Sequence, residues 1–347
     1  MNGIKDPREK RHVFNAKWHP GIFSFQEKRR LLKRFLRIVF FPVTLSALLF
    51  KRICRSLILP SSNYRKKEVR TTADIFLDRW SLRAETSLQR FFSIDLLTLH
   101  TPDGIALSGV YYNAKKRIAN TPVVILFQSN SSLMQHGEYD WLLEECAKKE
   151  LAIDFVSFDY RGCGESPGKA KRINDLVLDG DAAYQYVKEK RQLADERIFF
   201  YGHSLGGCIS TLVQSLYPEK AIKAVNERSF SSVDKLLVKR YRRAGRLLSF
   251  LAKRLSWNAS PADIWPNLRG KNLIIFQKDD EIIPFSASLF YALKSRSTKN
   301  LHYIELIAED HTKKHPFHHS MPLSNYLDKR TKQCAEQSVF NFLLNEN

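Results

Sequence analysis

The chain has 347 residues, 44% of them hydrophobic and 12% aromatic, which is ample for a large packed core and excludes a disordered polymer. Lys and Arg number 56 against 36 Asp and Glu, a net charge of +20. The excess is uneven: residues 1–90 hold 21 basic and 7 acidic side chains (+14), and the remaining 257 residues hold 35 and 29 (+6).

In chain order, the basic N-terminal quarter comes first. "EKRRLLKRFLR" (27–37) runs into the uncharged "IVFFPVTLSALLF" (38–50) and then "KRICRSLILP" (51–60). Thirteen uncharged residues fall short of the roughly 20 a helix needs to cross a bilayer, and Pro42 interrupts them. The run starts too late for a secretory signal, and no small-residue cleavage site follows. Residues 27–60 therefore read as a peripheral or monotopic anchor to an anionic membrane surface, with a helix packed on the domain behind it as the alternative. No zinc finger or RNA-recognition signature accompanies the charge, so nucleic acid is not the expected partner. Five scattered cysteines (Cys54, Cys146, Cys163, Cys208, Cys334) suit neither a disulfide framework nor a zinc set and fit a reducing, cytoplasm-like compartment. Residues 1–90 form this N-terminal region, and 91–347 the second domain.

From residue 91 the pattern changes. "FFSIDLLTLHTPDGIALSGVYY" (91–112) predicts two antiparallel strands about a turn at Asp103-Gly104. The apolar runs "PVVILF" (122–127), "AIDFVSFDY" (152–160), "RIFFYG" (197–202), "AIKAVN" (221–226), "KNLIIF" (271–276) and "LHYIEL" (301–306) predict further strands. Helical spacing separates them at 138–150, 173–192, 205–216 and 286–294, and a helix closes the chain at 334–344. Alternating strands and helices predict an α/β fold with a mostly parallel eight-stranded sheet and helices on both faces. Residues 228–268 interrupt the alternation. "VDKLLVKRYRRAGRLLSFLAKRL" (233–255) is basic and amphipathic, a candidate helical lid.

Functional groups in such sheets gather where strands end, and four strand ends carry chemistry. Gly202-His203-Ser204-Leu205-Gly206 fits G-x-S-x-G between a strand and a helix. There a serine hydroxyl is held above the sheet, and the following amide, Leu205, faces the place where an oxyanion forms. "KDDEIIP" (278–284) supplies a carboxylate to orient a base: Asp280 first, Asp279 second. "AEDHTKKHPFHH" (308–319) places His311 a few residues past the last predicted strand as general base. His315, His318 and His319 read as a solvated histidine-rich loop, and Pro316 argues against a helical metal motif. "QSNSS" (128–132) offers the second oxyanion donor, Asn130, with Ser131 next.

Serine, then acid, then histidine is the order found in α/β-hydrolases, and residues 91–345 resemble that family of serine hydrolases. "DYRGCGES" (159–166) resembles its D-x-R-G-x-G-x-S segment, which is structural. The layout is most similar to the membrane-associated ABHD-type branch and to chlamydial-type bacterial relatives, and "NERSFSSVDKL" (226–236) fits there too. The resemblance implies an α/β-hydrolase fold and cleavage of an ester or thioester by Ser204, His311 and Asp280 without a cofactor or metal, on an acyl lipid or acylated protein. It departs at Gln128-Ser129, where that branch carries His-Gly, so a catalytically silent interaction protein at a membrane is the alternative expectation.

Overall fold

Each central apolar run becomes a strand buried on both faces. In the computed structural model, which describes residues 52, 53, 55, 56, 58–63, 87–296, 301–308 and 318–344, β1 (Phe92–His100), β2 (Ala106–Ala114), β3 (Val123–Phe127), β4 (Asp154–Phe158), β5 (Ile198–His203), β6 (Lys223–Glu227), β7 (Asn272–Gln277), β8 (His302–Ala308) and β9 (Tyr326–Asp328) form one sheet. Its order is β1-β2-β4-β3-β5-β6-β7-β8-β9. Strands β4, β3, β5, β6, β7 and β8 are mutually parallel. β1 and β2 pair antiparallel, β2 meets β4 antiparallel, and β9 closes the far edge antiparallel to β8. The ninth strand is an addition to the eight expected: three residues are too few to display an alternating pattern.

Alternation along the strands builds two cores. Ile125 and Phe127 of β3 and Phe200 of β5 face a cluster with Leu176 and Val187 of α3 (Ile173–Arg191) and Ile209 of α4 (Leu205–Gln214). Val124, Leu126 and Tyr201 face the opposite way. They meet Leu142 of α2 (Asp140–Lys148), Leu88 of α1 (Ser87–Phe91) and Phe340 of α8 (Ala335–Leu344). A third cluster joins Ile274 and Phe276 of β7 to α6 (Pro261–Ile264) and α7 (Leu289–Ser295).

Two segments depart from the sequence expectation. Ile58 and Leu59, the end of the expected membrane stretch, are buried in the domain core, and Ser61 donates from both its N–H and its hydroxyl to the Asn130 carbonyl. The domain therefore draws in residues placed before it, while residues 27–51 lie outside the described residues. Among the described residues no helix is long and apolar enough to cross a membrane.

The second is α5 (Val233–Arg254), whose backbone breaks at Arg242 (φ 46°, ψ −116°). In a straight helix Asp234 and Lys253 would stand about 28 Å apart at 1.5 Å per residue, yet their side chains form an ion pair of 2.6 Å. A Cβ on Gly245 would lie 2.3 Å from the Leu237 carbonyl oxygen, so only glycine allows the arms to pack this closely. The expected lid is thus a helical hairpin, with arms 233–241 and 243–254.

Candidate active site

The strand ends converge as the α/β pattern requires. Ser204 follows β5 with φ 55° and ψ −114°, a conformation costing a non-glycine residue about 1–3 kcal/mol. Its amide donates to the Glu227 carbonyl at 2.8 Å, and glycines make room for the turn. A Cβ on Gly202 would sit 2.4 Å from Gly206 backbone atoms, and one on Gly206 would sit 1.9 Å from the Phe127 oxygen. Sequence and backbone together set the serine at the mouth of α4, whose first amide is Leu205.

After β7 the two acids separate. Asp279 is exposed and Asp280 is buried. The Asp280 Oδ1 accepts from the amides of Ile282 and Ile283, both at 2.8 Å, and its Oδ2 lies 2.7 Å from His319 Nδ1. Burial raises the affinity of Asp280 for its proton, but the bond to His319 and the two amides outweigh it and hold the carboxyl below its ordinary range.

The histidine at Asp280 is His319, buried rather than solvated as its place in a histidine-rich loop suggests. It is 6% exposed. His311 and His315 lie outside the described residues. Three contacts fix the His319 turn. Its amide donates to both carboxylate oxygens of Glu281 at 3.2 Å. The buried Arg228, at the end of β6, donates to the Met321 carbonyl at 2.6 Å. The His203 ring, one residue before Ser204, lies 4.7 Å from the His319 ring. Desolvation pulls the His319 pKa below that of an ordinary histidine, and the positive neighbours His203 and Arg228 add to this against the pull of Asp280. A run of four histidines in one loop carries no local signal for which one turns inward; the Glu281 and Arg228 contacts that choose it are made across the fold.

The β3 loop is held from two sides. Gln128 is buried and donates from Nε2 to Ser157 Oγ at 2.8 Å. The Ser129 amide donates to Glu138 Oε2 at 3.0 Å, and Glu138 Oε1 pairs with His203 Nδ1 at 2.7 Å. Burial works against charge on both partners, yet their pairing holds Glu138 below and His203 above its ordinary pKa. Ser129 is not among the residues with positive φ, so the loop turns without the glycine that the resemblance implies. With the Ser129 amide committed to Glu138, Asn130 is the next amide in the loop. Asn130, Ser204 and Leu205 line one cavity of about 270 Å³, walled chiefly by apolar side chains that include Phe230, Leu237 and Ile283.

The Asp159–Ser166 segment braces the site from behind. Asp159 accepts from the Met134 amide at 2.8 Å, and burial pushes its carboxyl up to about 7. Arg161 bridges Asp179 at 2.7 Å and Asp103 at 2.6 Å, joining α3 to the β1–β2 turn. Among the described residues no three His, Cys, Asp or Glu side chains gather as metal ligands.

A model of the Hydrolase_4 family, described as serine aminopeptidase S33, matches residues 133–305. The chain belongs to the α/β-hydrolases. Among α/β-hydrolase relatives, the chain is 24% identical over 153 residues to the alpha/beta hydrolase domain-containing protein WAV2 of Arabidopsis thaliana, covering 44% of this chain and 46% of that one. It is 31% identical over 127 residues to the monoglyceride lipase of Mus musculus, covering 36% and 39%. The match thus spans less than half the length of either relative. An α/β-hydrolase structure from Vibrio vulnificus superposes over 84% of this chain and 90% of its own, with a TM-score of 0.56 at 15% identity, and shares the fold.

Proposed function

We propose that this α/β-hydrolase cleaves a carboxylic ester or thioester of an acyl lipid or acylated protein, with Ser204 as nucleophile, His319 as general base and Asp280 as the carboxylate that orients it. The observation that carries the reading is the 2.7 Å contact of Asp280 with His319, two buried groups from different strand ends, with the His319 ring 4.7 Å from that of His203, the residue before the serine of the strained strand-to-helix turn. Ser204 Oγ attacks the acyl carbonyl as His319 takes its proton. The tetrahedral intermediate collapses to an acyl-enzyme when His319 protonates the departing alcohol or thiol, and water, activated by the same base, releases the acid. The Leu205 and Asn130 amides are the donors assigned to the oxyanion.

The apolar wall beside Ser204 favours an acyl chain over a polar metabolite. The name of one relative, the monoglyceride lipase of Mus musculus, supports the same class. Hydrolysis of p-nitrophenyl esters of increasing chain length, by wild type and by Ser204→Ala, tests it. Activity that rises with chain length and vanishes in the variant is expected. A folded wild type inert on every ester and thioester would favour the silent interaction protein instead.

A further inference from the structure

The hairpin arms of α5 leave a surface that hydrolysis of a soluble ester does not require. From Lys239 to Arg254 the sequence holds Lys239, Arg240, Arg242, Arg243, Arg246, Lys253 and Arg254 and no acidic residue. All seven are exposed. Lys253 is paired with Asp234, and the other six meet no carboxylate among the described residues. Amid this charge stand three large apolar side chains: Tyr241 is 42% exposed, Leu247 59% and Phe250 62%. Leu247 and Phe250 are one turn apart and share a face of the second arm, with Arg243, Arg246 and Arg254 at three- and four-residue spacings around them. Exposed apolar residues ringed by arginines are expensive to leave in water and ill suited to a core.

We infer that the exposed face of the 243–254 arm, with the reversal at Tyr241–Arg242, docks onto an anionic phospholipid bilayer. The guanidinium groups meet lipid phosphates, and Leu247 and Phe250 enter the boundary between headgroups and acyl chains. A soluble phosphate ligand would account for the arginines but not for the aliphatic and aromatic residues among them. The chain's own 27–37 segment is also basic, so charge repels it from this face. The surface is joined to the candidate site: Leu236, Leu237, Arg240 and Tyr241 of the first arm line the Ser204 cavity. The first arm of the hairpin thus forms part of the wall of the Ser204 cavity. Delivery of substrate rests on the ester-hydrolase reading, whereas docking does not.

The test is cosedimentation of the full chain with vesicles of phosphatidylcholine alone and of phosphatidylcholine with phosphatidylserine, using wild type, Ser204→Ala, L247S/F250S, R243E/R246E and, as a charge-matched control, K171E/K190E. Docking predicts that wild type, Ser204→Ala and the control bind the anionic vesicles alike. R243E/R246E should bind at least tenfold more weakly. L247S/F250S, whose charge is unchanged, should lose at least fivefold, and all folded variants should keep the wild-type thermal transition. Binding by both hairpin variants equal to that of the control would overturn the inference. So would a wild type that binds DNA at matched salt but no vesicle. Vesicle binding without hydrolysis by wild type would leave docking intact and overturn the ester-hydrolase reading alone.

Discussion

The carboxylate of Asp280 and the imidazole of His319 lie 2.7 Å apart, both buried, although 39 residues separate them in sequence. Two amides fix one Asp280 oxygen and the other meets Nδ1, which leaves the far nitrogen of the ring for a proton in transit. In this geometry the charge on Asp280 matters as well as its shape. Asp280→Asn is expected to lower kcat about 10⁴-fold, as loss of the orienting charge does in such triads, while Asp279→Asn, at an exposed position, changes kcat less than threefold. Ester hydrolysis by the two purified variants checks it, and equal effects would contradict the assignment.

The base has to be neutral to accept the serine proton. Burial and the positive charges of His203 and Arg228 keep the His319 proton affinity low, so the neutral form persists into mild acid. The acid limb of kcat/KM should therefore have its midpoint below the ordinary histidine value of about 6.5. A midpoint at or above that value in a pH–rate profile would refute the expected environment.

Ser129 stands where the similar branch carries glycine, but its φ is not in the left-handed region and its amide is held by Glu138. Ser129→Gly should therefore change hydrolysis less than threefold. Glu138→Gln weakens the contact that fixes both this loop and His203, and should cost more. A large gain in rate from Ser129→Gly would mean that the serine constrains the oxyanion loop after all.

The brace behind the site sets part of the stability. Arg161→Ala strands Asp179, which is fully buried and already pushed up to about 7 by desolvation, at an expected cost of about 3–5 kcal/mol. Hydrogen bonds from Arg161 hold Asp103 at about 2. Because the folded pKa is depressed, this contribution is fully present above the unfolded value of about 3.9 and is lost as pH falls through about 2. Urea unfolding between pH 5 and pH 2 should show a shallower loss for Asp103→Asn than for wild type.

What could be read from the sequence follows from where each signal is encoded. The central strands are buried on both faces, so 123–127 and 198–201 stand out as apolar runs, and the G-x-S-x-G turn carries its glycines because a Cβ at Gly202 or Gly206 would fall 2.4 or 1.9 Å from neighbouring backbone atoms. The reversal at Arg242 had no proline or paired glycine to announce it; Gly245, mid-helix, was the one local sign, and its meaning depends on Leu237 eight residues earlier. The pairing of His319 with Asp280 carries no local sign at all. The contacts of the His319 turn come from Asp280, Glu281 and Arg228, which belong to other strand ends and cannot be ranked from loop spacing.

The central claim is that Ser204 is activated by His319. Labelling of the intact protein with a fluorophosphonate probe, followed by mass analysis of the modified peptide, tests it most directly. Wild type should be modified at Ser204 and Ser204→Ala should not, His319→Ala should label at least 10³-fold more slowly, and His311→Ala should label within threefold of wild type. Labelling that survives in His319→Ala and is lost in His311→Ala would contradict it.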